Sequence, residues 1–268
     1  MKIGACKFAA AALISAVIAA PVAAQTASEQ LQQYRDMLAE GNPAELYEMD
    51  GEELWYTASG PKNATLETCD LGLGPGVVEG ASAQLPRYFA DTDRVQDLES
   101  RLLTCMQEIQ GIDPQTIIDG SFGKGARIPM EAIVAYVSGM SKGMTVDVSV
   151  DHPKEKEMLA MGEKLFYMQG GPMDFSCASC HAAKDQRIRM QDLPDLTEHA
   201  GAAAGWGNWP AYRVNRGVFW TMQRRLNDCY RQQRMPYPIY ASDVTIALSM
   251  YMAEMANGGV INTPSIKR

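Results

Sequence analysis

Phe175-Ser176-Cys177-Ala178-Ser179-Cys180-His181 is the stretch on which the reading of this chain turns. It contains C-x-x-C-H. Two thiols three residues apart can each add to a vinyl group of a haem, and the next residue is an imidazole held against the iron as an axial ligand. A thioredoxin-like redox pair does not need the His, and no second C-x-x-C is present to complete a zinc site. The motif predicts one covalently attached haem c at Cys177 and Cys180, with His181 on the iron.

The rest of the composition is consistent with an exported globular protein. The 268 residues are 46% hydrophobic and 21% charged, which excludes collagen, coiled coil and a disordered tail. A formal charge of −8 argues against nucleic-acid binding. Residues 1–24 carry Lys2 and Lys7, an apolar run from Phe8 to Ala20 and an A-x-A-like site at Val22-Ala23-Ala24. That is a cleavable signal peptide, too short to span a bilayer, and it points to the periplasm. Loss of its two Lys takes the charge from −8 to −10. No later segment is apolar for long enough to anchor in a membrane, and the oxidising compartment permits disulfides.

Five Cys remain after cleavage, and comparison of the chain with itself divides them. Gly51-Glu52-Glu53-Leu54-Trp55-Tyr56 matches Gly162-Glu163-Lys164-Leu165-Phe166-Tyr167 at an offset of 111 residues. The same offset sets Leu66 opposite Cys177, Cys69 opposite Cys180 and Asp70 opposite His181. At an offset of 124, Tyr88 pairs with Tyr212, Arg101-Leu102 with Arg225-Leu226, Cys105 with Cys229 and Pro114 with Pro238. The tails Tyr136–Gly143 and Tyr251–Gly258 also correspond. We read a mainly α protein of two cytochrome c-like domains from an internal duplication. Residues 25–149 form the copy that lost its haem, and residues 150–268 the copy that kept it. Cys180 and Cys229 would face the haem from its edge and from above its iron. With no haem between them, Cys69 and Cys105 are expected to form a disulfide, worth up to ~3–4 kcal/mol on loop-closure entropy.

Cys229 is then the lone sulfur. Gly217 to Arg234 reads as one helix on which Met222, Leu226 and Cys229 share a face, and Leu98, Leu102, Cys105 and Ile109 repeat that stripe in the first half. Cys229 is either an inert buried thiol or the second axial ligand. Met235, in Arg234-Met235-Pro236-Tyr237-Pro238, competes for that place, although Gly111 stands opposite it in the first half. His199 is an outside candidate, and His152 reads as a surface or loop residue. Arg225 lies one helical turn before Cys229 in a cluster with Arg213, Arg216, Arg224, Arg231 and Arg234, against a single acid, Asp228. A guanidinium fork suits an oxyanion, which makes Arg225 the candidate for an anionic substrate. Part of the cluster is expected to be solvated helix face or to neutralise haem propionates. Trp206-Gly-Asn-Trp209-Pro210 reads as haem-packing core and loop.

C-A-S-C-H, W-G-N-W-P, R-R-L-N-D-C and M-P-Y-P together resemble the SoxA subunits of the SoxAX cytochromes of bacterial thiosulfate oxidation, over essentially the whole mature chain. Leu66, Cys69 and Asp70 depart from the two-haem members, so the resemblance is to the single-haem form. It implies an L-cysteine S-thiosulfotransferase that pairs as a heterodimer with a small SoxX-like cytochrome c. The complex would join thiosulfate oxidatively to a Cys thiol of a SoxYZ-like carrier. Cys229 then maps to the haem-ligating Cys that the family carries as a persulfide, and Arg225 to the family's substrate-site Arg. Forming an S–S bond releases two electrons and a haem accepts one, so a haem-bearing partner becomes a requirement. Two other classes fit the same residues: a thiosulfate dehydrogenase forming tetrathionate, and a plain electron-transfer cytochrome whose Cys229 only tunes potential.

Overall fold

In the first half, helix α1 (Ala44–Tyr56) leads to the hairpin β1 (Arg87–Phe89)–β2 (Arg94–Gln96), then to α2 (Leu98–Cys105), α3 (Pro114–Ile118) and α4 (Arg127–Gly139). In the second, α5 (Pro153–Tyr167) is followed by the one-turn helix α6 (Ala178–His181) and the short ribbon β3 (Arg187–Ile188)–β4 (Gln191–Asp192). Then come α7 (His199–Trp206), the hairpin β5 (Ala211–Arg213)–β6 (Val218–Trp220), α8 (Met222–Gln232) and α9 (Asp243–Met255). The last strand, β7 (Ser265–Lys267), adds in parallel to β5. The computed structural model describes Gln33, Met37, residues 41–188 and residues 191–267, so the expected signal peptide, residues 1–24, lies outside the described residues. Among the described residues no helix is long and apolar enough to cross a membrane.

Two helix crossings organise the molecule. Gly51 brings α1 against α4 so closely that a methyl group there would run into the Ala132 carbonyl oxygen and Tyr136 Cβ. Gly162 does the same for α5 on α9, against the Ala247 carbonyl and Tyr251 Cβ. The absence of a side chain at these two positions is what lets the backbones touch. Both partner helices are buried almost all round, Met130–Ser138 in α4 and Thr245–Ala253 in α9, as expected of helices enclosed by other elements.

The two halves are joined rather than merely adjacent. Residues 143–146 and 258–261 exchange backbone hydrogen bonds: Gly143 N donates to Ile261 O and Gly258 N to Val146 O, each at 2.8 Å. Gly143 and Gly258 hold φ of +84° and +83°, so each turns its chain by the same left-handed step. Phe219 of β6 and Tyr240, before α9, sit in the same hydrophobic cluster as Trp55, Leu66, Leu102 and Val134. Phe219 stacks on Tyr47 with ring centroids 5.4 Å apart. The Asn42 side-chain amide donates to the Pro264 carbonyl at 2.9 Å.

One expectation is corrected. Gly217–Arg234 is not a single helix: Val218–Trp220 is strand and the helix runs from Met222 to Gln232. Gly217, at φ +65°, ends the hairpin turn, and the β-branched and aromatic run Val218-Phe219-Trp220 pairs with Ala211–Arg213. Thr221 then caps the new helix, its side chain accepting from Arg224 N.

Candidate functional site

The local fold fixes the C-x-x-C-H segment before any cofactor is considered. Gly170 and Phe175 pair across the turn that precedes it. Ser176 and Ser179, the residues flanking Cys177-Ala178, cap each other: Ser176 N donates to Ser179 Oγ at 3.0 Å and Ser179 N to Ser176 Oγ at 3.2 Å. His181 N then donates to the Cys177 carbonyl at 2.9 Å, closing the turn that puts Cys177, Cys180 and His181 on one side. The opposite wall comes from α8, where Met222, Leu226 and Cys229 recur at helical spacing and face inward with Arg225.

Together these elements enclose a cavity of about 470 Å³. Cys177, Cys180, His181, Arg225 and Cys229 all line it, with Phe166, Trp206, Trp209, Leu248 and Met252 supplying much of the apolar wall. Volume and lining fall in the ordinary range for a bound organic cofactor, roughly 300–1,000 Å³ with few polar groups. Met235 is not on this wall. It packs against Gly170 and Gly171, within the cluster that includes Phe166 and Cys177. The other imidazoles point elsewhere: His199 Nε2 donates to the Asn257 carbonyl at 2.8 Å, and His152 caps α5 and stacks on Tyr88 at 3.7 Å.

The electrostatics suit haem ligation. His181 Nδ1 lies 2.9 Å from the Pro194 carbonyl, which can only accept, so Nδ1 carries the proton and Nε2 keeps its lone pair for a metal. Burial lowers the His181 pKa and so favours the neutral ring, against the opposing effect of that hydrogen bond. Burial pushes the Cys177 thiol up to about 12, with Cys229 adding to the effect, and Cys180 is raised for the same reasons. A redox-active C-x-x-C works through a lowered thiol pKa, so these two Cys have the wrong character for exchange chemistry. The donor set fits haem c: two thiols for attachment, one imidazole with its tautomer fixed, and a sulfur across the cavity.

The arginine cluster does not act as a unit. Arg224 turns away, pairing with Glu131 at 3.2 Å and lying over Trp220. Arg213 is stacked between Trp209 and Trp220, and burial, followed by Arg225, lowers its pKa to about 10. Arg231 is held by Asp228 Oδ1 through Nε at 2.9 Å and Nη2 at 2.7 Å. Gln232 takes Asp228 Oδ2 at 2.8 Å, leaving Arg225 a contact of 3.5 Å with that same oxygen. Arg225 rests on the Trp209 ring at 5.4 Å. Of the Arg groups on the cavity wall, it is the one on the Cys229 face of the helix with donors to spare.

The first-half residues that the self-comparison of the sequence sets opposite these are used quite differently. Cys69 and Cys105 form a disulfide with Cα atoms 5.5 Å apart. Leu66, opposite Cys177, is fully buried beside it. Arg101, opposite Arg225, donates from Nε to the Asp70 carbonyl at 2.6 Å and from Nη1 to Asp91 at 2.7 Å, and lies 4.0 Å over Phe89. Reading the sequence missed Gln233, which is buried on the cavity wall with an unpartnered Oε1, and Tyr230 beside it. The stripe gave one signal for both: they lie four and one residues past Cys229 on the same helix end.

Known proteins resemble the chain in sequence and in fold. Residues 50–146 match the family model described as SoxA/TsdA, cytochrome c domain. The chain is 60% identical over 89% of its length to the L-cysteine S-thiosulfotransferase subunit SoxA of Hydrogenophilus thermoluteolus, covering 87% of that protein. It is 37% identical over 84% of its length to a protein of the same name from Hydrogenobacter thermophilus, covering 82% of it. In fold it matches the crystal structure of SoxXA from P. pantotrophus, with a TM-score of 0.72 and 24% identity over 88% of this chain and 84% of that one.

Proposed function

The chain belongs to the SoxA family of L-cysteine S-thiosulfotransferase subunits, and from that premise we propose that it couples thiosulfate oxidatively to a cysteine thiol of a sulfur carrier protein. The single observation that carries the reading is the convergence of Cys177, Cys180, His181, Arg225 and Cys229 on one cavity. Cys177 and Cys180 would attach one haem c and His181 and Cys229 would ligate its iron; bound there, the haem supplies one-electron acceptance. In this proposal residues 25–149 are a duplicated cytochrome c-like domain without haem, braced by Cys69–Cys105, and residues 150–268 are the haem domain.

The chain's own groups divide the work. Arg225 binds the thiosulfate oxyanion with the donors that Asp228 leaves uncommitted, and the Trp209 ring holds the guanidinium in plane. The outer sulfur of thiosulfate is thereby presented to Cys229. An S–S bond forms between them with loss of two electrons, leaving thiosulfonate on the Cys229 sulfur. A carrier thiolate then attacks the sulfur bonded to Cys229, breaks that S–S bond and takes the thiosulfonate group. Cys229 returns as thiolate, and the carrier thiol's proton goes to solvent. The net change is carrier thiol plus thiosulfate to carrier S-thiosulfonate, one proton and two electrons. A single haem would accept only one of these electrons, so a SoxX-like cytochrome partner in a heterodimer would supply the second acceptor. The family resemblance implies that Cys229 is carried as a persulfide, in which case the outer persulfide sulfur takes the place of the Cys229 sulfur in each of these steps and is regenerated with it. The leader, residues 1–24, would deliver the protein to the periplasm.

Replacing Cys229 by Met tests the assignment. The variant should keep haem covalently attached, lose the His/thiolate signature in low-temperature electron paramagnetic resonance, and lose carrier-linked turnover. Retained turnover would overturn the role of Cys229. Tetrathionate formed at full rate without any carrier would overturn the transferase reading in favour of a thiosulfate dehydrogenase.

A further inference from the structure

The helix that carries Arg225 and Cys229 is held at its start by the other half of the molecule. Glu99 is the second residue of α2 and Gln223 the second residue of α8, so the first turns of the two helices meet head to head. Gln223 N, one of the N–H groups that α8 leaves without an intrahelical partner, donates to Glu99 Oε1 at 2.9 Å. Tyr240 OH donates to Glu99 Oε2 at 2.6 Å. The Gln223 side chain completes the junction, with Nε2 donating to Asp97 Oδ2 at 2.6 Å and Oε1 accepting from Ala241 N at 3.2 Å. Glu99, Gln223 and Tyr240 are all buried.

The junction lies one layer of side chains from the thiol-lined cavity. A second cavity of about 50 Å³ is lined by Asp97, Glu99 and the unpartnered hydroxyl of Ser249 on one side. Its other walls, Trp206, Trp209 and Met222, also line the large cavity.

We propose that Glu99 is a positioning residue for the Arg225/Cys229 helix, anchoring its first turn from the opposite half through the buried bonds it accepts from Gln223 N and Tyr240 OH. The functional side of this rests on the reading above; the anchoring does not. Ionised Glu99 makes charge-assisted bonds to Gln223 N and Tyr240 OH and sits at two helix N-termini, which favours it. Burial, and then Asp97, oppose the charge and raise the pKa to about 8, against the hydrogen bonds from Tyr240, Gln223 and Thr221. The charged groups that face it are Asp97 from the cap of its own helix and Arg127 from α4, whose guanidinium lies 3.9 Å over the Tyr240 ring. Glu131 and Arg224 stand behind them as a closed pair. Above pH about 8 the two bonds to Glu99 are therefore charge-assisted and hold the helix start more tightly, at a cost to the stability of the whole fold, and below it they are those of a neutral carboxyl.

The test uses the haem-loaded complex and its Glu99→Gln and Tyr240→Phe variants. Infrared difference spectra across pH 6 to 10 should show a protonated-carboxyl stretch lost around pH 8 in the wild type and absent from Glu99→Gln. In Tyr240→Phe, which lacks a donor to the ionised form, that loss should move to higher pH. With thiosulfate and carrier, Glu99→Gln should match the wild type below pH 8 and fall about tenfold behind it in kcat above. A carboxyl band that survives in Glu99→Gln overturns the proposal, as do a downward shift in Tyr240→Phe and coincident pH–rate profiles. Absence of thiosulfate turnover in the wild type would sink the functional reading alone, because the infrared titration still decides for or against Glu99.

Discussion

In the second half, His181 and Cys180 face Cys229 across a cavity of about 470 Å³, whereas in the first half Cys69 is bonded to Cys105 with Leu66 packed beside the bridge. The arginines diverge in the same way. Arg101 is 4% exposed and its donors are consumed by Asp70 and Asp91, while Arg225 keeps donors for the cavity. Similar helix frames thus serve two ends: sulfur and guanidinium close a core in one, and stay available in the other. What separates them is the company of each side chain rather than its identity.

The largest expected effect tests the closed half. Replacing Cys69 and Cys105 together by Ser should cost ~3–4 kcal/mol, read as a fall in thermal or urea stability of the non-reduced protein, with haem attachment at Cys177 and Cys180 unchanged. Loss of the haem-binding chemistry in that variant would mean that the halves do not divide the work as described.

The arginine pair comes next. Arg225→Ala should reduce kcat/KM for thiosulfate roughly a hundredfold, ~3 kcal/mol of binding to a charged group, and leave stability nearly unchanged. Arg101→Ala should do the reverse, lowering stability by about 2–3 kcal/mol through its orphaned partners with little change in kcat/KM. An exchange of those two outcomes would erase the contrast.

Smaller effects test what the halves share. Gly51→Ala and Gly162→Ala should each destabilise by about 2 kcal/mol, because each methyl meets a carbonyl of the facing helix. Unequal losses, measured by denaturation, would show that the two crossings are not equivalent. The smallest, per unit of the variable changed, is a slope. Burial pushes the folded Glu99 carboxyl up to about 8 from its ordinary 4.5, so between those pH values the folded chain keeps a proton that the unfolded chain releases. Stability from this group must then fall as pH rises from 4.5 to 8, by at most about 1.4 kcal/mol per pH unit. Glu99→Gln should flatten that part of the urea-stability profile; an unchanged slope would assign it to other groups.

Features set by local spacing were legible in the sequence. C-x-x-C-H, the Met222–Leu226–Cys229 stripe and the pairing of Gly51 with Gly162 each need only a motif, a helical period or a self-comparison. The strand at Val218–Trp220 was not legible, because it exists through partners on Ala211–Arg213, themselves flanked by the distant Ser265–Lys267. The fates of the arginines were hidden for the same reason. Helical spacing puts Arg224 and Arg225 on adjacent faces, but only the fold brings Glu131, 93 residues away, to Arg224. Glu99 and Tyr240 stand 141 residues apart, and neither carries a local pattern.

The presence of Phe219 and Tyr240 in the core of the first half bears on the order in which this chain matures. Synthesis delivers residues 41–149 first, before Phe219 and Tyr240 exist to complete their hydrophobic cluster. The C-x-x-C-H segment at Cys177–His181 emerges before both Cys229 and the closing residues 258–261. Residues 143–146 and 258–261, which pair across the two halves, therefore seal both at once.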